Sequence, residues 1–390
     1  MTAIKTVNIS DTQARPTSLA EIQEVCIGSR KLLPVGARTK SGLCTGDNLR
    51  DRPSSANSDD GDPLVLLDMR GFAGVVSYDA SEFLITVRGG TTISELTDAL
   101  GAKGQYLPFD PVFAAKGATI GGSIASGISG PCRLLYGGLR DFMLEVAVCD
   151  SVGREIRGGG KVVKNAAGFD LPKLVVGSYG RMAVITEATL KVFPQPAGSM
   201  TLSSHRSSLD AALEVALRLL AQPLPIAALE IDYDATLRVR LSGPVDSLCG
   251  MADRLKAQMG PRQPVTALEH GPEESELWRS RSEFGWTGDR PLLVRIAVAH
   301  HQISRLCRFL NELDGSPIFT VSCGLSVVWV SVTDIDQLSR IDSLLSELKL
   351  SGVTITGTQQ FTLLGDKRWT DTATRIQKSL DESRKLPAFA

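Results

Sequence analysis

Two glycine-rich segments carry the residues whose types and spacing best suit ligand binding. The segment GATIGGSIASGISG, from Gly117 to Gly130, holds five glycines and four small hydroxyl residues, and the segment PVGARTKS spans Pro34 to Ser41. Glycine lets backbone N–H groups approach an anion closely, and each such charge-assisted bond contributes roughly 1.5–3 kcal/mol. An exposed Arg38 or Lys40 side chain would contribute only about 0–1 kcal/mol. We therefore expect the backbone to matter more than the charges, although such segments can also serve only as turns.

Other site chemistries lack the residues that they need. The seven cysteines are an odd number without a C-x-x-C pair, which argues against a disulfide framework, a zinc ribbon or an iron–sulfur cluster. Of the four histidines, His300 and His301 are adjacent, and on a strand they would point to opposite faces. No G-x-G-x-x-G opens a helix after a strand, and Gly160 and Lys161 lack the rest of a P-loop. The sequence predicts no metal site, no Rossmann site and no Walker site.

Composition predicts a globular chain of two domains. The 390 residues are 43% apolar and carry a net charge of −1, so no global field exists to hold nucleic acid or an anionic membrane. The longest uncharged window, between Lys116 and Arg133, carries five glycines and is not expected to span a membrane. No stretch is typical of a signal peptide. We expect a cytoplasmic protein, with any membrane association made through partners.

Apolar periodicity in the first half predicts strands and a few helices. A helix is expected from Ser18 to Ser29, and Thr92 to Glu95 fits a capping box that begins a second helix. Arg52 to Asp62 is predicted to be a surface loop. Strands are expected at Leu64–Met69, Val75–Tyr78, Phe83–Arg88, around Leu144–Val148 and at Val184–Val192. This order predicts an α+β fold rather than a doubly wound sheet.

A proline pair, Pro194 and Pro196, marks the predicted domain boundary. Beyond it, a unit of helices and strands occurs twice, which predicts a ferredoxin-like α+β sheet with helices on one face. The expected elements are a helix at Leu209–Ala221, strands at Ala227–Tyr233 and Leu237–Leu241, a helix at Asp246–Met259, a strand at Leu292–Ala299, a helix at Gln302–Leu313, strands at Ile318–Val321 and Leu325–Val332, a helix at Ile335–Leu350 and a strand at Val353–Thr356.

Five motifs in a fixed order resemble a known family. The two glycine loops are followed by GGLRDF at Gly137–Phe142, VVKNAAGFDLPKLVVGSYG at Val162–Gly180 and AVITEATLKVFP at Ala183–Pro194. This order is similar to the FAD-binding domain of the vanillyl-alcohol oxidase, or p-cresol methylhydroxylase (PCMH), family, and within it to FAD-binding subunits of bacterial glycolate oxidases. The resemblance implies a PCMH-type FAD-binding domain of two subdomains at 1–196. The segment 197–390 would then be a cap domain for substrate or subunit interaction.

The resemblance also implies the residues that bind FAD. The first loop would wrap the pyrophosphate through backbone amides, the second would line the other side, and Ile185 would meet the adenine half. The implied set is Pro34, Gly36, Ala37, Arg38, Thr39, Lys40, Pro108, Gly117, Ala118, Thr119, Gly121, Gly122, Ser126 and Ile185. Asp110, close to Pro108, would lie in the loop that leads to the cofactor.

We expect polar residues of the other motifs to stabilise the FAD pocket or the loops around it. Lys164, Asn165 and Asp170 are expected to support the FAD pocket, with their individual roles open. Arg140 and Asp141 are expected to form a partly buried ion pair that fixes a loop.

The sequence departs from the family at several points. Neither loop contains a histidine, so FAD is expected to be bound non-covalently, with nearby Cys132 as the alternative anchor. Arg181 and Ala183 stand where relatives usually keep leucine and glycine, which we interpret as a minor change. The second half lacks the histidine-rich G-D-G-N-type motif that holds a metal and the substrate carboxylate in hydroxy-acid dehydrogenases of the family. No catalytic base is identified.

Two functions follow from the resemblance. In the first, the chain is a subunit that oxidises a small 2-hydroxy acid, such as glycolate to glyoxylate, together with a catalytic FAD subunit and an iron–sulfur subunit. In the second, it is a non-catalytic FAD-carrying subunit for structure or electron transfer, which the missing histidine motif favours. A third, the FAD subunit of a molybdenum hydroxylase, shares a TIGG loop, but the KNxxGxD and SYGxxxxITE elements argue against it.

Overall fold

A computed structural model describes residues 13–44, 64–160, 169–260, 264–358 and 360–389. The predicted surface loop from Arg52 to Asp62 lies outside these ranges. No helix within them is long and apolar enough to cross a membrane.

The first half forms three small sheets and short helices. Its strands are β1 (Gln13–Ala14), β2 (Lys31–Val35), β3 (Leu64–Asp68), β4 (Val75–Asp79), β5 (Leu84–Arg88), β6 (Gln105–Tyr106), β7 (Met143–Cys149), β8 (Glu155–Gly159), β9 (Val184–Lys191) and β10 (Phe193–Pro194). Its helices are α1 (Leu19–Gly28), α2 (Ile93–Gly101), α3 (Ile120–Ser126), α4 (Arg133–Tyr136), α5 (Leu139–Phe142) and α6 (Leu171–Val175).

Two of these sheets form the two parts of the first half. A parallel three-stranded sheet has the order β1-β3-β2 and packs against α1. An antiparallel five-stranded sheet has the order β4-β5-β9-β7-β8 and packs against α2 and α3. The predicted capping box is confirmed, because the Thr92 amide donates to Glu95 Oε2 at 2.9 Å and the Glu95 amide donates to Thr92 Oγ1 at 3.2 Å.

The second half is built on one large sheet. Its strands are β11 (Gly198–His205), β12 (Ile226–Asp232), β13 (Thr236–Gly243), β14 (Thr266–Glu269), β15 (Leu292–Ala297), β16 (Ile318–Ser322), β17 (Val327–Val332), β18 (Ser351–Thr356) and β19 (Leu363–Gly365). Its helices are α7 (Leu209–Leu220), α8 (Val245–Met259), α9 (Pro272–Ser282), α10 (His300–Glu312), α11 (Ile335–Leu348) and α12 (Trp369–Leu380).

This sheet is a tandem of two ferredoxin-like units. The nine strands are antiparallel in the order β14-β11-β13-β12-β16-β17-β15-β18-β19, and the units join where β12 pairs with β16. Helices α7, α8, α10 and α11 share one apolar core with the sheet. The predicted repetition and the α+β class are therefore confirmed. His300 and His301 begin α10, so the expectation for a strand does not apply to them.

The opposite face of the large sheet packs toward the first half. Leu293, Trp329 and Ile355 belong to the same apolar core as α2 and α3. The tail after α12 also returns to the first half, where the Lys385 carbonyl accepts from the Leu32 amide at 2.8 Å. Because the core is continuous across Pro194 and Pro196, the division into two domains stays a prediction.

Candidate functional site

The loop that follows β2 presents unpaired backbone donors. In the part of the chain that the structure describes, the amides from Ala37 to Lys40 donate no hydrogen bond. Arg38 has a φ of 56°, in the left-handed region. Successive amides in such alternating conformations form a concave anion-binding nest. The loop is therefore suited to a phosphate group.

The two predicted glycine loops meet at this point. A Cβ added to Gly36 would lie 2.2 Å from Thr119 Oγ1, so only glycine allows this close approach. Together the loops form a cleft that is open to solvent on one side. The cleft is lined by Leu33, Pro34, Val35, Gly36, Ala37, Arg38, Thr39, Lys40, Leu43, Cys44, Thr119, Gly122, Ala125, Ser126, Tyr179 and Gly180.

The charge of the cleft suits an anion. Arg38 and Lys40 lie in its lining, which contains no aspartate or glutamate. Burial raises the pKa of the Cys44 thiol, and the nearby positive charges of Arg38 and Lys40 partly oppose this effect. Two cations beside unpaired amides fit the diphosphate of a dinucleotide.

Nine of the predicted FAD residues line the cleft, namely Pro34, Gly36, Ala37, Arg38, Thr39, Lys40, Thr119, Gly122 and Ser126. Pro108, Gly117, Ala118, Gly121 and Ile185 lie outside the lining. Gly121 allows α3 to pack closely against the backbone at Gly89, because an added Cβ would lie 2.8 Å from the Gly89 carbonyl oxygen. Ala118 is buried, and its carbonyl accepts from the Ile93 amide at 2.7 Å. The assignment of each residue to FAD stays a prediction.

Seven lining residues were not among the predicted FAD residues, namely Leu33, Val35, Leu43, Cys44, Ala125, Tyr179 and Gly180. The Tyr179 amide donates to the Ala125 carbonyl at 2.8 Å, which ties the SYG motif to α3. The SYG motif already belongs to the set of motifs that resembles the family. Its membership in that set was the sequence signal from which Tyr179 and Gly180 could have been predicted.

One prediction about a basic residue was wrong, and a second basic residue is buried more deeply than its motif indicated. Lys40 is 7% exposed, so its side chain is buried and not a surface contact. Arg181 is fully buried between the rings of Tyr179 and Phe389, at 5.8 and 5.3 Å from the ring centroids. Burial lowers the pKa of Arg181 to about 10. The interpretation of Arg181 as a minor change from leucine stays a prediction.

The expected ion pair of Arg140 and Asp141 is also wrong. Both residues are exposed, and no ion pair joins them among the described residues. Asp141 instead accepts from the Gly138 amide at 2.8 Å, which fixes the start of α5.

Asp110 and Cys132 lie together beside the large sheet, outside the cleft lining. Asp110 accepts from the Cys132 amide and from Ser282 Oγ, both at 3.1 Å. Burial raises the pKa of the Asp110 carboxyl and that of the Cys132 thiol. This arrangement joins the halves of the chain and does not present the Cys132 thiol to the cleft.

The remaining motif residues are only partly described. Lys164 and Asn165 lie outside the described residues. Asp170 accepts from the Lys173 amide at 3.2 Å at the start of α6 and pairs with the Lys173 ammonium at 2.7 Å. Asp170 therefore has a local structural role, and its predicted support of the FAD pocket stays a prediction.

The fold is of the PCMH type. A solved structure of alkyldihydroxyacetonephosphate synthase matches 96% of this chain and 75% of its own, with a TM-score of 0.68 and 13% identity. At this identity the likeness shows the fold alone. Residues 48–159 match the family described as FAD binding domain. The chain thus carries an FAD binding domain, and FAD is its cofactor.

The curated relatives include subunits of an oxidase. Glycolate oxidase subunit GlcE of Escherichia coli is 43% identical over 45% of this chain and 50% of its own length. D-lactate dehydrogenase of Archaeoglobus fulgidus is 36% identical over 39% of this chain and 34% of its own length. The chain therefore spans half or less of the length of these two relatives.

Proposed function

We propose that the chain is the FAD-binding subunit of a glycolate oxidase-type complex that oxidises a small 2-hydroxy acid. The observation that carries this proposal is the cleft, whose lining combines unpaired amides with two basic residues and contains no carboxylate. The names of the relatives support the substrate class. A catalytic FAD subunit and an iron–sulfur subunit are the proposed partners.

The residues of the cleft would bind and orient FAD non-covalently. The amides from Ala37 to Lys40 would hold the diphosphate, and Gly122 would leave room for the cofactor to approach the backbone. When bound, FAD would supply the two-electron acceptor for oxidation of the acid to its 2-oxo acid, in which carbon 2 loses a hydride and the hydroxyl loses a proton.

Arg295 is the proposed anchor for the substrate carboxylate. It lies on β15 opposite Trp329, and its neighbours Leu293 and Trp329 face the first half of the chain. Within the described ranges no carboxylate pairs with it, and burial lowers its pKa. Its charge also acts on Tyr179, which lines the cleft. A partly buried cation without a counter-ion beside the cleft suits a monocarboxylate.

Replacing Arg295 tests this assignment. In the assembled complex, Arg295→Met should raise the glycolate concentration needed for anaerobic flavin bleaching at least tenfold, while FAD affinity is unchanged. The reason is the loss of a charge-assisted bond, worth roughly 1.5–3 kcal/mol. Anaerobic titration with glycolate and with D-lactate, followed at the flavin absorption bands, measures the effect. The exposed Arg305→Met is the control, and equal curves for both variants would contradict the assignment.

A non-catalytic FAD-carrying role is the second candidate. Helix α9 covers part of the face of the large sheet toward the first half, with Trp278 and Arg281 buried against it. Helix α9 therefore occupies part of the space that a substrate would need on this face, which favours the non-catalytic role. If glycolate bleaches the flavin of the isolated chain anaerobically, the non-catalytic role is excluded. If only the reconstituted complex responds, the chain is not an oxidase by itself.

The non-covalent binding mode has its own test. We expect a yellow purified chain whose flavin moves into the supernatant after acid precipitation, because the cleft lining contains no histidine and Cys132 lies outside it. Absorption spectra of pellet and supernatant measure this. Flavin that stays in the pellet would show a covalent anchor, for which the lining residue Cys44 would be replaced first.

A further inference from the structure

Lys40 combines burial with the lack of a direct partner. Its side chain is 7% exposed, and the residue lines the cleft at the end of the loop of unpaired amides. Its Nζ lies 5.6 Å from the centroid of the Phe113 ring. In the described part of the chain, no carboxylate oxygen lies within ion-pair distance of this nitrogen. A buried ammonium without a counter-ion is costly, unless a ligand provides the negative charge.

The groups around Lys40 do not supply that charge directly. Glu283, which follows α9, acts on Lys40 from beyond ion-pair distance, and its Oε1 accepts from the Ala115 amide at 2.8 Å. The charges of Lys40, Arg38 and Arg181 all act on the thiol of the lining residue Cys44, so two further cations lie in the neighbourhood of Lys40. The Lys116 ammonium lies 4.9 Å from the same Phe113 ring centroid. Cations outnumber carboxylates around this position.

We propose that the Lys40 ammonium is the fixed counter-charge for the diphosphate of FAD. The loop amides supply dipoles, and Lys40 supplies a full charge at their end, inside the protein where solvent screens it least. The diphosphate is the anionic group that FAD always carries, and the adjacent unpaired amides suit the same group. This inference assigns the lysine side chain a binding role in addition to the backbone of its loop.

Proton coupling follows from this arrangement. Burial lowers the pKa of Lys40 to about 8 without ligand, and a bound diphosphate raises it. Below pH 8 the amine is already charged, so binding takes up no proton. Above pH 8 the neutral amine must take up a proton, so FAD affinity falls by up to about tenfold per pH unit. Burial raises the pKa of Cys44, which moves the thiol away from this window.

Lys40→Met and Lys40→Arg test the proposal in the full chain stripped of FAD. At pH 7, Lys40→Met should bind FAD roughly ten- to a hundredfold more weakly, and its affinity should not vary between pH 7 and pH 9. Lys40→Arg should keep most of the affinity at pH 7 and lose the dependence above pH 8, because arginine stays charged. Fluorescence titration with FAD measures both. The wild-type pH profile needs no variant and tests the coupling alone.

Two further measurements distinguish other roles. Riboflavin, which lacks the diphosphate, should bind wild type and Lys40→Met equally. Glu283→Gln should move the fall in FAD affinity to lower pH, because Glu283 raises the pKa of Lys40. The proposal is overturned if Lys40→Met weakens riboflavin as much as FAD, or if wild-type affinity is the same at pH 7 and pH 9. It is also overturned if Lys40→Met binds FAD with wild-type affinity.

Discussion

Gly122→Val should reduce FAD affinity at least a hundredfold, with a much smaller effect on the stability of the fold. Gly122 lines the cleft, and an added Cβ would meet only Thr119 Oγ1 within 4 Å, at 3.1 Å. The remaining carbons of valine would therefore occupy space that the cofactor needs. Valine also has a higher helix propensity than glycine, so α3 should not be weakened. Fluorescence titration with FAD and thermal unfolding of the FAD-free chain measure the two effects.

Gly250→Val is the matched control for this experiment. Gly250 also lies in a helix, α8, and has no atom within 4 Å of an added Cβ, but it is far from the cleft lining. It should bind FAD as wild type does. Gly121→Val provides a contrast, because its Cβ meets the Gly89 carbonyl and should destabilise the fold itself. Wild-type FAD affinity in Gly122→Val would contradict the position of the cofactor in this cleft.

Most of the fold follows from patterns that are local in the sequence. The alternating residues of β9 and the capping box at Thr92 need only their neighbours to define an element. The repeated unit of the second half is visible because each strand and helix carries its own apolar period. The two glycine loops were also predictable, since a close approach such as Gly36 to Thr119 requires glycine at that position.

Helix α9 was not predicted because its pattern depends on distant partners. Its sequence, PEESELWRSRS, is polar throughout, yet Glu274 and Arg281 are buried. Glu274 accepts from Arg240 at 2.9 Å, and Arg281 donates to Glu230 at 2.5 Å. These partners lie 34 and 51 positions away in the sequence. The local sequence therefore predicts exposed charged side chains, whereas the fold buries them as ion pairs. The burial of Lys40 was missed for a similar reason, since Phe113 and Glu283 are remote in sequence.

Helix α9 connects the large sheet to the segment from Asp110 to Phe113. Its last residue Ser282 donates from Oγ to Asp110 at 3.1 Å, and the Phe113 amide donates to the Ser282 carbonyl at 3.3 Å. The next residues place Glu283 near Lys40 and pack the Phe284 ring against the Phe113 ring in a tilted arrangement, at a centroid distance of 5.0 Å. The ionic contacts that hold α9 on the sheet therefore also position groups around the proposed FAD site.

Arg281→Leu should lower the free energy of unfolding by about 3–5 kcal/mol. Arg281 donates to Glu230 Oε2 at 2.5 Å, to Asp232 Oδ1 at 2.6 Å and to Thr320 Oγ1 at 2.8 Å. Leucine would leave the carboxylate of Glu230 buried without its cation, whereas Asp232 keeps its contact with Arg238. Urea unfolding at pH 8 measures the loss. The exposed ion pair of Arg305 and Glu347 gives the control, since Arg305→Leu should cost about 0–1 kcal/mol.

The pH dependence identifies Glu230 as the cause of that loss. Burial already raises the pKa of Glu230, and removing Arg281 takes away the largest influence that lowers it. A carboxyl whose folded pKa exceeds its unfolded value stabilises the fold at low pH and loses that contribution as pH rises through the folded pKa. The deficit of Arg281→Leu should therefore be smaller at pH 5 than at pH 8, and Glu230→Gln added to Arg281→Leu should recover part of it. A deficit independent of pH, with no recovery in the double variant, would mean that lost packing of the arginine side chain, and not an unpaired carboxylate, destabilises the protein.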